Sequence, residues 1–192
     1  MPDPSAYSVL LVDDEPAIRE ILSSELKEAG FAAQETQDGI DALVKLRDTL
    51  PHVIISDLQM PRMSGVEFII VVRRRFPYIP VIVFSGATLS ELPAEAKPDG
   101  WFEKGALQIP ELLKAVHALV RKTPDRPYAP QVISTPVRTR RGGAGYFLLT
   151  CTDCLRLFRM MSTPEVKTVE RTATCVYCEA RVPFLVESGD PE

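Results

Sequence analysis

Short apolar runs alternate with helix-patterned segments along the first 122 residues, and this alternation is the strongest constraint on the fold. Three unbroken runs, Val9–Val12, Val53–Ile55 and Val81–Phe84, are typical of strands buried on both faces of a parallel sheet. Phe31–Ala33 and Gly100–Phe102 are weaker strand candidates. Because neighbouring parallel strands need a crossover, the pattern predicts right-handed βαβ units and an α/β fold with a doubly wound, five-stranded sheet.

Four segments between or after these runs carry apolar residues at helical spacing. They are residues 18–26, 40–46, 66–75 and 112–120. Gly30 is placed to end the first predicted helix, Pro51 limits the second, and Pro110 suits the first turn of the last. Only 15 residues separate Ser85 from Trp101, and two of them are prolines. Since proline interrupts a helix, we expect a stunted helix before the last strand.

Composition narrows the class of protein. The chain has 192 residues, 45% hydrophobic and 25% charged, as in soluble globular proteins. Its apolar runs are shorter than a membrane helix requires, and its N-terminus lacks the basic region of a signal peptide. We therefore expect a cytoplasmic protein without membrane contact. The net charge is −5 over residues 1–122 and +1 over residues 123–192, so neither part has the basic excess of a nucleic-acid binder.

Polar side chains follow the strand candidates where each strand ends. They are Asp13 and Asp14 after the first, Asp57 after the third, Ser85 after the fourth and Lys104 after the fifth. Because the carboxyl ends of parallel strands meet at one edge of the sheet, we expect these side chains to converge. Mg²⁺ relieves the repulsion between crowded carboxylates and also binds phosphate oxygens. We predict that Asp57 is a nucleophile toward a phosphoryl group, with Lys104 balancing charge and Ser85 donating a hydrogen bond.

These residues resemble the response-regulator receiver family. The matching motifs are Val12-Asp13-Asp14-Glu15, the run from Asp57 to Gly65, Ser85-Gly86 and Lys104, in family order within residues 7–122. The resemblance implies a flavodoxin-like fold and phosphorylation of Asp57 by a histidine kinase. It implies Mg²⁺ bound by Asp13 or Asp14, by Asp57 and by the backbone carbonyl of Gln59, and a switch formed by Ser85 and Trp101.

The resemblance also implies a signalling switch rather than an enzyme, with at most slow self-catalysed phosphorylation and dephosphorylation of Asp57. The side chains of Gln59 and Ala87 lie where the family tunes the lifetime of the phosphoryl group. Two features depart from the family pattern. Gly105 stands where the family usually has proline, and the stunted fourth helix alters the face that many members use to dimerise.

A change of composition separates the first 122 residues from the last 47. Residues 123–145 hold four prolines, four arginines and a glycine-rich tip, and are predicted to form a linker. We therefore expect a receiver domain over residues 1–122, a linker over 123–145 and a small domain over 146–192. Alternating Val182, Phe184 and Val186 predict short strands in the small domain.

The four cysteines all lie in the small domain, as two CxxC pairs. Cys151, Cys154, Cys175 and Cys178 have the spacing C-x₂-C-x₂₀-C-x₂-C, which is typical of a structural zinc site with four thiolate ligands. So short a segment buries too little surface to fold unaided. The tail thus resembles a zinc ribbon, with Zn²⁺ as a structural cofactor.

Two other functions remain open for this tail. One is a DNA-binding transcription regulator that reads DNA with the ribbon, although the tail shows no helix-turn-helix pattern. The other is a redox-responsive switch that uses the CxxC pairs for thiol–disulfide exchange. We favour a protein as the output partner over nucleic acid, with Phe158, Met160 and Met161 as candidate exposed contacts.

Overall fold

The structure is a computed structural model that describes residues 7–86, 92–104, 109–121, 137–139, 141–142, 146–161 and 171–186. The chain divides into two compact units, residues 1–129 and 130–192, and each is described by itself. None of the described helices is long and apolar enough to cross a membrane.

The first unit is a five-stranded parallel sheet. Its strands are β1 (Ser8–Val12), β2 (Ala32–Thr36), β3 (Val53–Ser56), β4 (Val81–Ser85) and β5 (Gly100–Glu103). Their order is β2-β1-β3-β4-β5, with every neighbouring pair parallel. The three apolar runs form the central strands β1, β3 and β4, which are almost wholly buried. The predicted flavodoxin-like, doubly wound fold is confirmed.

Among the described residues of this unit, four helices cover the sheet. They are α1 (Pro16–Glu28), α2 (Gly39–Asp48), α3 (Gly65–Arg75) and α4 (Ile109–Val120). Gly30, with a φ of 90°, follows the end of α1 in the left-handed conformation that favours glycine. Ser64 begins α3 through a capping box with Glu67. The helix positions predicted from the apolar spacing are confirmed.

The element before β5 is a single 3₁₀ turn, Ala94–Ala96, which follows Pro93. Arg73 of α3 fixes the segment after this turn by donating hydrogen bonds to the Lys97 carbonyl at 2.9 Å and to Asp99 Oδ2 at 2.7 Å. The stunted element is confirmed for residues 92–99, while residues 87–91 lie outside the described part of the chain.

The second unit is built from short strands. They are β6 (Val137–Thr139), β7 (Arg141–Gly142), β8 (Tyr146–Thr150), β9 (Leu157–Met161), β10 (Arg171–Thr174) and β11 (Arg181–Val186). They form two three-stranded sheets, β10-β11-β6 and β7-β8-β9. The β-rich character predicted for the tail is confirmed. β6 and β7 come from the range predicted as linker and pair with β11 and β8.

Apolar residues from both sheets form the core of the second unit. Phe147, Leu149, Phe158, Val182 and Phe184 are buried together with two of the cysteines. The prediction that Phe158 is exposed is therefore wrong, because its side of β9 faces this core, and Met160 packs against the same core. Met161 is 77% exposed, as expected.

Candidate functional site

Three carboxylates meet at the carboxyl edge of the parallel sheet. Asp13 and Asp14 follow β1, Asp57 follows the neighbouring β3, and their carboxylate oxygens lie within 4.8 Å of one another. The two strands are held in register here, since the Asp57 amide donates to the Val12 carbonyl at 2.8 Å. Asp13 and Asp57 are only 1% and 4% exposed, so their charges are poorly hydrated.

Lys104 supplies the positive charge that these carboxylates require. Its ammonium lies 2.9 Å from Asp13 Oδ2, 2.7 Å from Asp57 Oδ2 and 2.8 Å from Glu15 Oε1. Burial by itself lowers the pKa of Lys104, but hydrogen bonds to Asp57, Glu15 and Asp13 outweigh burial and raise that pKa above its ordinary value. Lys104 therefore stays protonated over the whole physiological pH range.

Backbone amides fix the orientation of the acidic side chains. Asp57 Oδ1 accepts hydrogen bonds from the amides of Leu58 at 2.6 Å and Gln59 at 3.3 Å. Asp13 Oδ1 accepts from the Glu15 amide at 2.9 Å. Burial raises the pKa of Asp13, although Lys104 and the Glu15 amide oppose that shift. The site is thus a set of oriented oxygens in partial burial, which are the ligands that Mg²⁺ prefers.

The other predicted residues lie around this pocket. Ser85 is the buried last residue of β4, and its carbonyl accepts from the Lys104 amide at 3.2 Å. Trp101 is half-buried in β5 and pairs with Val83. Gln59 is exposed in the loop after β3. Ala87 and Gly105 lie outside the described residues.

Gly65 is a site residue whose role was not predicted from the sequence. Its amide donates to the Leu58 carbonyl at 2.9 Å, and a Cβ at this position would lie 1.8 Å from the Asp57 carbonyl oxygen. Only glycine allows the start of α3 to pack this closely against the backbone of Asp57. The sequence signal is the glycine eight residues after Asp57, directly behind the Ser64 cap.

The four cysteine sulfurs form one cluster in the second unit. All four lie within 4.8 Å of one another, and no two are joined as a disulfide. Cys151 Sγ lies 3.6 Å from Cys178 Sγ, and Cys154 Sγ lies 3.7 Å from Cys175 Sγ. A tetrahedron of sulfurs around a zinc ion has edges of about 3.8 Å when each zinc–sulfur bond is about 2.3 Å. The sulfur positions therefore fit one tetrahedral metal ion.

The two CxxC loops have the same backbone structure. In each loop, the amide of the first cysteine donates a hydrogen bond to the carbonyl of the residue five positions later. The carbonyl of that cysteine accepts a hydrogen bond from the amide of the residue four positions later. These fourth residues, Leu155 and Glu179, both have a positive φ, 56° and 60°. Burial raises the pKa of the Cys151 thiol.

Comparison with known proteins gives one consistent family. Residues 9–103 match the response regulator receiver domain. The chain is 29% identical to the response regulator MprA of Mycobacterium sp. (strain KMS) over 168 residues, which cover 82% of this chain and 73% of MprA.

Two solved structures agree with this match. The chemotaxis response regulator CheY4 of Vibrio cholerae is 33% identical, with a TM-score of 0.54, and the match covers 59% of this chain and 98% of CheY4. The response regulator TrrA of Thermotoga maritima, solved in complex with Mg²⁺ and BeF, is 31% identical, with a TM-score of 0.55 and coverage of 59% and 98%.

The close packing of Gly65 leads to a test of the site's backbone. We expect Gly65→Ala to lower the free energy of unfolding by about 3 kcal/mol, because the added methyl group overlaps the Asp57 carbonyl and forces the loop to move. Gly86→Ala is the matched control, since a Cβ there meets no described atom within 4 Å. Urea unfolding followed by Trp101, the only tryptophan, measures both. Equal urea midpoints for the two variants would contradict the packing argument.

Proposed function

Because the chain belongs to the response regulator receiver family, we propose that Asp57 accepts a phosphoryl group from a histidine kinase and thereby switches contacts with other proteins. The observation that carries the proposal is the position of Asp57. Its carboxylate is buried beside two further carboxylates, is oriented by backbone amides, and lies 2.7 Å from the Lys104 ammonium. This combination of a fixed oxygen nucleophile and a fixed cation suits phosphoryl transfer.

The transfer uses the two oxygens of Asp57 differently. The Leu58 and Gln59 amides hold Oδ1, so Oδ2, on the Lys104 side, is assigned as the nucleophile. A bond forms between Oδ2 and phosphorus while the bond from phosphorus to the kinase histidine nitrogen breaks, and the electron pair returns to that nitrogen. Lys104 then balances the charge on the phosphoryl oxygens. The chain acts as a stoichiometric acceptor rather than as an enzyme with turnover.

Magnesium is the cofactor that fits this oxygen set. Asp13, Asp14 and Asp57, with the backbone carbonyl of Gln59, would hold the ion, which supplies positive charge between the carboxylates and the incoming phosphoryl oxygens. Support comes from the carboxylate oxygens within 4.8 Å of one another, and from TrrA, which was solved with Mg²⁺ and BeF.

Ser85 and Trp101 are proposed to carry the signal away from Asp57. They lie on the neighbouring strands β4 and β5, and Ser85 is joined to Lys104 through the backbone. A phosphoryl group that recruits the Ser85 hydroxyl would displace the end of β4, and the half-buried Trp101 would follow. Since residues 92–99 contain a single 3₁₀ turn, we expect no strong phosphorylation-dependent dimer through that face.

The phosphorylation proposal is tested with a small phosphoryl donor. Incubation with acetyl phosphate and Mg²⁺ should add one phosphoryl mass to the protein, and Asp57→Asn should abolish it because the nucleophilic oxygen is gone. Asp48→Asn, at an exposed carboxylate of α2, is the matched control and should label normally. Intact-mass spectrometry measures all three proteins. Labelling of the Asp57→Asn variant, or labelling that does not depend on Mg²⁺, would refute the assignment.

For the second unit we propose one structural zinc ion bound by Cys151, Cys154, Cys175 and Cys178. The tetrahedral spacing of the sulfurs and the matched backbone of the two CxxC loops support it. A redox dithiol needs only two close sulfurs, whereas here all four lie in one cluster. With four thiolate ligands the ion has no open position, so its role is to hold the small fold together.

The zinc proposal predicts one ion per chain in reductively purified protein. Removal of the ion by a chelator should unfold the second unit and leave the first unit folded, because metal binding supplies the folding free energy of the second unit alone. Metal analysis and amide NMR spectra of the full chain measure the two effects. Cys178→Ser should reproduce the chelated spectrum, and metal-free protein with a folded second unit would overturn the proposal.

The second unit is proposed to contact a protein rather than DNA. From Tyr146 onward the sequence has five Lys or Arg and seven Asp or Glu residues, and a zinc ion with four thiolates adds further negative charge. Affinity for duplex DNA depends on cations that neutralise phosphates. Exposed apolar side chains instead suit a protein surface, and Leu148, Met161, Val176 and Tyr177 are between 38% and 77% exposed.

A gel-shift titration with random duplex DNA at low salt distinguishes the two output partners. We expect no binding below micromolar concentrations, because residues 146–192 carry more acidic than basic side chains and therefore offer few cations to neutralise phosphates. Arg138, Arg140 and Arg141 are the cations most able to bind DNA weakly, so their triple replacement by alanine is the control. Sub-micromolar binding that survives this replacement would favour a transcription regulator.

A further inference from the structure

The loop that links Asp57 to α3 is fastened to the start of α2. The Gly39 amide donates to the Met63 carbonyl at 3.3 Å. The Met63 side chain is 5% exposed and lies so close that a Cβ on Gly39 would come within 2.8 Å of it. The far end of the loop is held by Gly65 against Asp57. Residues 58–64 are therefore fixed both to Asp57 at the end of β3 and to the start of α2.

An ion-pair cluster reinforces this attachment. The Arg62 guanidinium contacts the carboxylate of Asp38 and lies 3.0 Å from Asp41 Oδ2. Asp38 caps α2, since its Oδ1 accepts from the amides of Ile40 at 2.8 Å and Asp41 at 3.0 Å. The Asp38 side chain is only 1% exposed, so its charge needs a partner in place of water. Arg62 provides that charge from the loop side.

The backbone of Arg62 is further evidence that its side chain matters. Its φ is 62°, in the left-handed region that glycine and asparagine adopt more easily than arginine does. An unfavourable backbone conformation persists where the surrounding structure requires it. In this conformation the guanidinium contacts Asp38 and Asp41 of the neighbouring helix start.

We propose that Arg62 is a positioning residue that sets the geometry of the magnesium site through this loop. Gln59, whose carbonyl is the proposed backbone ligand, is three residues before Arg62 in the same loop, and Asp57 begins it. Mg²⁺ demands near-ideal octahedral geometry, so a small displacement of one ligand weakens binding. The inference rests on the proposed magnesium site and adds a determinant of its affinity outside the set of ligands.

The direction in which magnesium affinity changes on replacing Arg62 distinguishes a charge effect from a positioning effect. Removal of a positive charge near an acidic pocket strengthens the attraction of that pocket for Mg²⁺. If Arg62 acted only through its charge, its replacement by a neutral residue would therefore tighten magnesium binding. Loss of its positioning role would weaken magnesium binding, so the sign of the change separates the two effects.

The test is a thermal-shift titration of the full chain with MgCl₂. The melting temperature without Mg²⁺ reports on structure, and its rise with Mg²⁺ concentration gives the dissociation constant. Arg62→Asn suits the left-handed backbone but lacks the guanidinium, and it should raise the dissociation constant about tenfold. Arg62→Lys keeps the positive charge but lacks the planar guanidinium that contacts both carboxylates, and it should give an intermediate dissociation constant. Arg75→Ala, at the opposite end of α3, is the matched control and should resemble the wild type.

A second variant separates positioning from stability. Asp38→Asn keeps the helix cap but removes the buried charge, so it breaks the same ion pair from the other side. We expect Asp38→Asn to weaken magnesium binding. The double variant, Asp38→Asn with Arg62→Asn, should bind Mg²⁺ no more weakly than either single variant, because the two residues act through the same ion pair. Lower melting temperatures with an unchanged or smaller dissociation constant would overturn the inference. If the wild type itself shows no stabilisation by Mg²⁺, the proposed magnesium site fails instead.

Discussion

The balance of one ammonium against several buried carboxylates is the interaction on which the receiver unit depends. Carboxylates of Asp13, Asp14 and Asp57 converge because β1 and β3 are neighbours in a parallel sheet, and they repel one another. Lys104 reaches two of them, and Glu15 as well, from the end of β5. A group that adds or removes charge at Asp57 must therefore alter the contacts of Lys104, and the proposed phosphorylation of Asp57 would act on this edge of the sheet in that way.

The backbone around Asp57 fixes the orientation of the charged groups. The Asp57 carboxylate is oriented by the amides at the start of its own loop, and the loop is set by close contacts that leave no room for side chains at Gly39 or Gly65. The ion pairs of Arg62 act at the same boundary. The charges of the pocket thus determine which ions it attracts, whereas packing of the loop determines how the side chains of the pocket are positioned.

The two units reach a stable fold in different ways. The first buries whole strands and the inner faces of its helices, so its core needs no ligand. The second has a small core around Phe147 and Phe184, into which Cys151 and Cys175 are built directly. A metal ion at those cysteines would contribute the stability that so little apolar surface cannot provide. The proposed signal input and the proposed output therefore lie in units whose stability has different sources.

The sequence alone indicated a doubly wound, five-stranded parallel sheet, its helices and the candidate ligands, because the apolar periodicity, the proline positions and the polar residues at strand ends are local signals. Asp57 and the four cysteines were identified in this way, and the structure brings each set together. The exposure of Phe158 was predicted wrongly, since one strand residue shows nothing of which face a partner sheet covers. Gly65 and Arg62 stand within a motif that the sequence analysis identified, but their roles were not predicted, because these arise from contacts with Asp57 and Asp38 that only tertiary packing creates. Patterns along the chain thus decided which chemistry is present, and the tertiary structure decided how it is held in place.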